Sequence, residues 1–372
     1  AALSANGVER IYGVPGESYL AALDALVEVD IPFIQCRHEA GAANMAEAHG
    51  KLTGRPGICF VTRGPGATQA AVGVHTALQD STPMILLVGQ VRREDEGREA
   101  FQELDYAQAF AGLAKAAFEI RDPARVPEMM MRAFALAMNG RPGPVVVGLP
   151  EDMLTEIADA PEAAALVPAR SEVSAETAHE IAAMIDAAER PVMMVGGPGW
   201  RNEDREALHD FAERSNCPIL TSFRVKHLFD NAHSHYGGEA GIGACPAVVT
   251  ALREADLIVA VGPRLGEMTT QSYDLFDVPE GVADRLVHIH PGGEELGRVY
   301  RPKLAVTAQA GPALSAINAA AKPQNAAARA DWVKQCRAAY DVWIEPVEVT
   351  GDVNPSIIWR ETSETLGGQA IM

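Results

Sequence analysis

The feature that most restricts this chain is a rhythm in residues 1–150. A short apolar run, a turn marked by glycine or proline and an amphipathic stretch follow one another repeatedly. Residues 10–14, 33–36, 57–62, 84–89, 116–120 and 144–149 read as strands, and 19–28, 40–52, 67–78 and 127–138 as helices between them. Strands that are apolar along their whole length need cover on both faces. Alternating helices supply it, so the rhythm predicts a parallel sheet in an α/β domain.

Residues 156–174, rich in Ala, Pro and Glu, read as a linker closing a first domain at 1–155. A second α/β rhythm over 175–321 follows, with strands at 191–195, 218–221, 257–261 and 286–290. Helices are expected at 177–188, with Ser174 and Glu176 placed to cap it, and at 204–215. Residues 322–353 read as a connecting segment with a helical pattern through Trp332 and Tyr340. The stretch 354–366 reads as a helix capped by Asn354 with Pro355 in its first position. The chain opens inside a helix pattern without a Met, and Ala370, Ile371 and Met372 look like the start of another strand. Both ends therefore suggest a piece of a longer protein. The fold class expected is α/β, two successive parallel-sheet domains with helices on both faces.

Charge excludes one broad class. A net charge of −19 leaves no basic footprint for nucleic acid. No apolar run approaches the ~20 residues of a membrane span, and no signal peptide is visible. Cys36, Cys59, Cys217, Cys245 and Cys336 are scattered, which gives neither a zinc spacing nor a disulfide framework and suits a reducing, cytoplasmic setting.

Four patches stand at the carboxyl ends of predicted strands: Tyr12-Gly13-Val14-Pro15-Gly16-Glu17, Arg37-His38-Glu39-Ala40-Gly41-Ala42, Thr62-Arg63-Gly64-Pro65-Gly66-Ala67 and Val88-Gly89-Gln90-Val91. That edge is where open parallel sheets bind ligands. By residue type and position alone, Glu39 is equally an acid that complements a helix dipole. Gly64-Pro65-Gly66 is equally a plain turn, and Gln90 a solvated amide.

With the blocks GVPGE, RHEAGAANMAEAHGKLTG, FVTRGPGATQAAVGVHTALQDSTPMILLVGQV and AFQELDY in this order, the sequence resembles the acetolactate-synthase-like branch of thiamine-diphosphate enzymes. The resemblance covers essentially the whole chain. It implies a pyrimidine-binding domain, a central domain, and a third, diphosphate-binding domain beginning at 354. Glu39 is then the carboxylate that hydrogen-bonds the cofactor's aminopyrimidine. Pro15, Gly16, Gly64, Pro65, Gly66 and Gln90 line the cofactor, while His75, Phe101, Gln102 and Lys115 stand toward a substrate channel. The expected reaction is decarboxylation of a 2-oxo acid followed by addition to a second carbonyl or by protonation, in a homodimer or homotetramer.

The family's magnesium-binding GDG-to-Asn text is absent, so magnesium ligands are expected outside this chain. The stretch from His235 to Gly241 departs from the family's usual text, and FAD is not expected. Two other classes stay open on the residues. Gly196-Gly197-Pro198-Gly199 after a strand suits a nucleotide-dependent oxidoreductase, although it lacks the full GxGxxG spacing. A non-catalytic homologue of the same fold is the other, against which Glu39 argues.

Overall fold

The computed structural model describes residues 1–367 and 369; the strand expected at Ala370–Met372 lies outside the described residues. Six strands form the first sheet: β1 (Ile11–Gly13), β2 (Phe33–Gln35), β3 (Gly57–Val61), β4 (Met84–Gln90), β5 (Ala116–Glu119) and β6 (Pro144–Pro150). Their order is β2-β1-β3-β4-β6-β5, and every neighbouring pair is parallel. The helices between and around them are α1 (Ala2–Ala5), α2 (Leu20–Leu26), α3 (Glu39–Thr53), α4 (Pro65–Asp80), α5 (Tyr106–Ala109) and α6 (Val126–Met138).

Strands β1, β3, β4 and β6 are buried along their whole length, as their composition requires, and the outer strands β2 and β5 are only partly covered. Along β3 and β4, Ile58, Phe60, Ile85 and Leu87 enter one core with Phe134 of α6. The alternating Cys59, Val61, Leu86 and Val88 enter the other with Ala43 of α3 and Ala70 of α4. Each such aliphatic side chain removed from water contributes ~1.5–3 kcal/mol. Helices α3 and α4 meet through small residues. A Cβ at Gly73 would stand 2.6 Å from the Cβ of Ala43.

The second sheet holds β7 (Pro191–Val195), β8 (Ile219–Ser222), β9 (Tyr236–Ala240), β10 (Leu257–Val261), β11 (Leu286–His290) and β12 (Leu304–Thr307). It is again all parallel, in the order β12-β11-β10-β7-β8-β9. Helices α7 (Ala175–Ala187), α8 (Asn202–Ser215), α9 (Pro246–Glu254), α10 (Ala310–Ala320) and α11 (Ala330–Trp343) accompany it, and α12 (Pro355–Leu366) ends the described elements. Ser174 caps α7 by accepting from the Thr177 amide at 3.1 Å, and Asn354 caps α12 through the Ser356 amide at 3.0 Å. Strands β9 and β12 and helices α9 and α10 are absent from the sequence expectations. β9 is interrupted by glycines, one at φ +119°, and β12 is an edge strand with every second residue exposed.

The carboxyl end of α4 is gripped from the second sheet. Arg141, just beyond α6, donates to Glu295 at 2.8 Å, to Ser81 Oγ at 2.9 Å and to the Leu78 carbonyl. Arg264 reaches Glu295 at 3.1 Å and the Gln79 carbonyl at 3.3 Å. Asp80 adds ion pairs to Lys51 at 2.7 Å and Arg224 at 3.3 Å. No described helix is long and apolar enough to cross a membrane.

Candidate active site

The strand order explains why the four patches converge. They leave β2, β1, β3 and β4, four adjacent strands, at the same edge. β1 connects toward β2 on one side while β3 lies on its other side, which opens a crevice at the carboxyl ends between them. The loops that wall this crevice fit because their residues are small. A Cβ at Gly16 would lie 2.5 Å from Thr62 Cβ, and one at Gly13 would lie 2.4 Å from the Phe60 carbonyl oxygen. Ser18 and Thr62 share a hydroxyl hydrogen bond of 2.9 Å, and Tyr19 donates to the Val14 carbonyl at 2.6 Å.

Glu39 is the first residue of α3. His38 before it is extended and caps the helix, its Nδ1 accepting from the Ala40 amide at 3.1 Å. The cap position is thus filled by His38, and the Glu39 side chain is left for another purpose. It is half-buried, and among the described residues its carboxylate has neither a hydrogen bond nor an ion pair. Gly66, in the first turn of α4, faces it. A Cβ at Gly66 would lie 3.7 Å from Glu39 Oε1 and 2.9 Å from Thr62 Cγ2. Any larger residue would therefore occupy the space beside the carboxylate. Two buried groups register its charge. The Tyr19 hydroxyl is pushed up by burial and then by Cys59 and Glu39, and the Cys59 thiol by burial, then Cys36 and Glu39.

The neighbouring turn is held by backbone geometry that only glycine takes up readily. Gly64 has φ +44°, and a Cβ there would lie 2.5 Å from the Gln102 carbonyl oxygen. Its amide donates to the buried Tyr106 hydroxyl at 3.4 Å, which in turn donates to the Gly89 carbonyl at 2.8 Å. Arg63 joins three exit loops, pairing with Glu151 after β6 at 2.9 Å and Glu17 after β1 at 3.3 Å. Arg63 and Tyr106 carry no role in the sequence reading, although both lie inside motifs it singled out. Their partners lie as many as 88 residues away in sequence, so no local pattern could have marked them.

The structure distributes the other candidates unevenly. Pro15 is exposed beside Gly16 at the crevice. Gln90 is no solvated amide. It is buried, its Nε2 donating to the Leu104 carbonyl and to Glu119, both at 2.8 Å, while its Oε1 accepts from the Val91 amide at 2.9 Å. Phe101 is exposed with the Arg63 guanidinium 6.0 Å from its ring centroid, and Gln102 lies against Gly64 through its backbone. His75 is exposed on α4, ten residues along from Pro65, which is about 15 Å of helix from the crevice.

Lys115 is not brought to the crevice within this chain. It precedes β5, at the amino edge of the sheet, and its ammonium donates to the Asn139 and Arg141 carbonyls at 2.6 and 2.7 Å. Those carbonyls follow α6, so Lys115 closes the end of that helix. Burial pulls its ammonium below the usual lysine range.

Comparison with known proteins assigns both sheets. Residues 1–109 match the family described as thiamine pyrophosphate enzyme, N-terminal TPP binding domain, and residues 178–317 match its central domain. The chain is 32% identical over 365 residues to the acetolactate synthase large subunit of Parasynechococcus marenigrum (strain WH8102), covering 93% of the chain and 58% of that protein. It is 33% identical over 318 residues to the probable acetolactate synthase large subunit of Methanocaldococcus jannaschii, covering 83% and 53%. Against the acetolactate synthase isozyme 2 large subunit of Escherichia coli (strain K12) it is 29% identical over 340 residues, covering 91% and 60%. The chain spans a little over half the length of these curated relatives.

Proposed function

From membership of the acetolactate-synthase-like thiamine pyrophosphate enzymes, the family to which this chain belongs, we propose that it acts as a lyase or carboligase on a 2-oxo acid. The observation that carries this reading is the Glu39 carboxylate, without a partner among the described residues, facing Gly66 at the crevice. The residues present fit the cofactor's pyrimidine half. Glu39 offers an acceptor with no competing partner among the described residues, Gly66 leaves room for a ring beside it, and Gly64 and Pro65 form the adjoining turn. Pro15 and Gly16 border the same crevice from β1, with Gln90 bracing its far side.

Thiamine diphosphate, when bound, supplies a thiazolium carbon that adds to a carbonyl and takes up the electron pair left by decarboxylation. The protein's part is placement and proton control. Glu39 would hydrogen-bond the ring nitrogen of the aminopyrimidine and favour the tautomer whose imine nitrogen is the base. Partial burial strengthens that hydrogen bond relative to water. The carbon–carbon bond to the substrate carboxylate breaks, carbon dioxide leaves, and a new bond forms to a second carbonyl or to a proton.

The finer parts of the reading rest on other observations. We assign α12 to the beginning of a diphosphate-binding domain. Its exposed Ile357, Ile358 and Trp359 leave apolar surface on the helix available for further packing, and the curated relatives are longer than this chain. Magnesium is assigned to that domain by the family resemblance, whose GDG-to-Asn text does not occur in this sequence. A homodimer or homotetramer is supported by apolar residues exposed on α3 and α4, Met45, Leu52 and Val72. The reading needs no FAD, and a cytoplasmic setting accords with five free cysteines.

The test uses the full-length protein with thiamine diphosphate and magnesium, offered a panel of 2-oxo acids. Carbon dioxide release from at least one is expected. Release from none contradicts the assignment.

A further inference from the structure

Residues 92–105 form a strap across the carboxyl edge of the first sheet, without regular secondary structure. The strap is shaped from within. Glu103 accepts from the Gly97 and Ala100 amides at 2.5 and 2.9 Å, and Gly97, Glu99 and Gln102 take positive φ. Its last turn brings the Gln102 backbone against Gly64 and leaves Phe101 projecting beside Arg63. Where Phe101 and Gln102 stand therefore depends on what fixes this strap to the sheet.

Arg93 fixes its start, donating to Asp152 at 2.7 Å and to the Arg121 carbonyl at 2.6 Å; the anchors beyond it, at Glu96 and Leu104, both run to one carboxylate. Glu119 is the last residue of β5, opposite Gly148 of β6. Gly148 has no side chain to block the way. A Cβ there would lie 2.7 Å from Glu119 Cγ and 3.0 Å from Tyr106 Cδ2. Glu119 thus reaches across β6, and its Oε1 accepts from Gln90 Nε2 at 2.8 Å. The other hydrogen of that amide group goes to the Leu104 carbonyl of the strap, also at 2.8 Å. On its outer side Glu119 Oε2 meets Arg121 at 3.3 Å, and Arg121 holds Glu96 of the strap at 2.6 Å. One acidic side chain orients the groups that hold the strap at Glu96 and at Leu104.

We propose that Glu119 is a positioning residue which, through Gln90 and Arg121, sets where Phe101 and Gln102 stand over the Gly64 turn. The link to substrate rests on the functional reading above; the link to the strap rests on these contacts alone. Truncation to Ala removes both anchors' orientation and leaves the Gln90 amide short of an acceptor. Glu119→Gln keeps an acceptor oxygen for Gln90 and restores the inner anchor.

The experiment compares Glu119→Ala, Glu119→Gln and the parent in the full-length protein. Hydrogen–deuterium exchange reads the strap directly. In Glu119→Ala, amides of residues 97–105 should exchange about tenfold faster, with β4 and β6 unchanged and Glu119→Gln close to the parent, as the loss of a charge-assisted hydrogen bond implies. With a 2-oxo acid that the parent turns over, KM should rise about tenfold in Glu119→Ala while kcat stays within about twofold. Unchanged strap exchange in Glu119→Ala overturns the proposal, as does Glu119→Gln behaving like Glu119→Ala, or a fall in kcat alone. An inactive parent contradicts the functional reading instead, and the exchange comparison still decides the strap.

Discussion

Glu39 and Gly66 bring one carboxylate and one missing side chain together at the crevice. The helix macrodipole stabilises negative charge in a first turn, so an acid there is unremarkable by itself. What distinguishes Glu39 is that His38 already fills the cap and nothing among the described residues pairs with the carboxylate. Gly66→Val should fill the adjoining space. Its Cβ begins 3.7 Å from Glu39 Oε1, and the added methyls extend from there. Overpacking of ~1–3 kcal/mol corresponds to thiamine diphosphate binding weakened by roughly fivefold to a hundredfold, read by fluorescence titration of the full-length protein. Parent-like affinity would show that the cofactor ring lies elsewhere. At this scale the sequence was informative where chemistry is local. The placement of Glu39 and Gly64-Pro65-Gly66 just beyond strand carboxyl ends was legible because neighbouring residues carry that signal. Arg63, Tyr106 and Glu119 were not, because each acts through partners brought close only by the sheet order. The place of Lys115, ahead of β5 and on the Asn139 and Arg141 carbonyls, was likewise not legible, because its partners follow α6.

Elements with a continuous apolar run were legible to within two residues, since burial on both faces leaves a strand no polar positions. The glycine-broken β9 and the half-exposed β12 left no such trace. The closeness of α3 and α4 was also invisible, although Gly73 sits inside a motif. Two effects compete there. Gly73→Ala should gain about 1 kcal/mol in helix propensity, but its Cβ would stand 2.6 Å from Ala43 Cβ and 2.7 Å from the Ala43 backbone. Backbone contacts cannot yield cheaply, and overpacking costs ~1–3 kcal/mol. A net loss of about 1 kcal/mol is therefore expected in denaturant unfolding. A stabilised variant would show that the two helices are less tightly packed.

For the whole molecule, the rhythm of the sequence revealed two parallel sheets but not how α4 links them. The hub of that link is Glu295, 4% exposed in its side chain and surrounded by Arg141, Arg264 and Arg298. Burial raises its proton affinity, but Arg264 and Arg141 outweigh this and hold the carboxyl below the ordinary 4.5. A depressed carboxyl stabilises the fold fully above 4.5, and that contribution is lost as pH falls through the lower folded value. The melting temperature of the parent should therefore drop below about pH 4.5 more steeply than that of Glu295→Gln. At neutral pH the variant should melt about 2 °C or more lower. Parallel pH profiles would remove Glu295 from the link.

The most direct test of the central claim is the rate at which the C2 proton of bound thiamine diphosphate exchanges with deuterium. It is measured by NMR on the full-length holoenzyme and on Glu39→Gln. If Glu39 controls the aminopyrimidine, exchange in the variant falls by at least about a hundredfold while the fold is retained, in the range general acid–base control provides. Exchange at the parent's rate in a folded, cofactor-loaded variant would contradict the account.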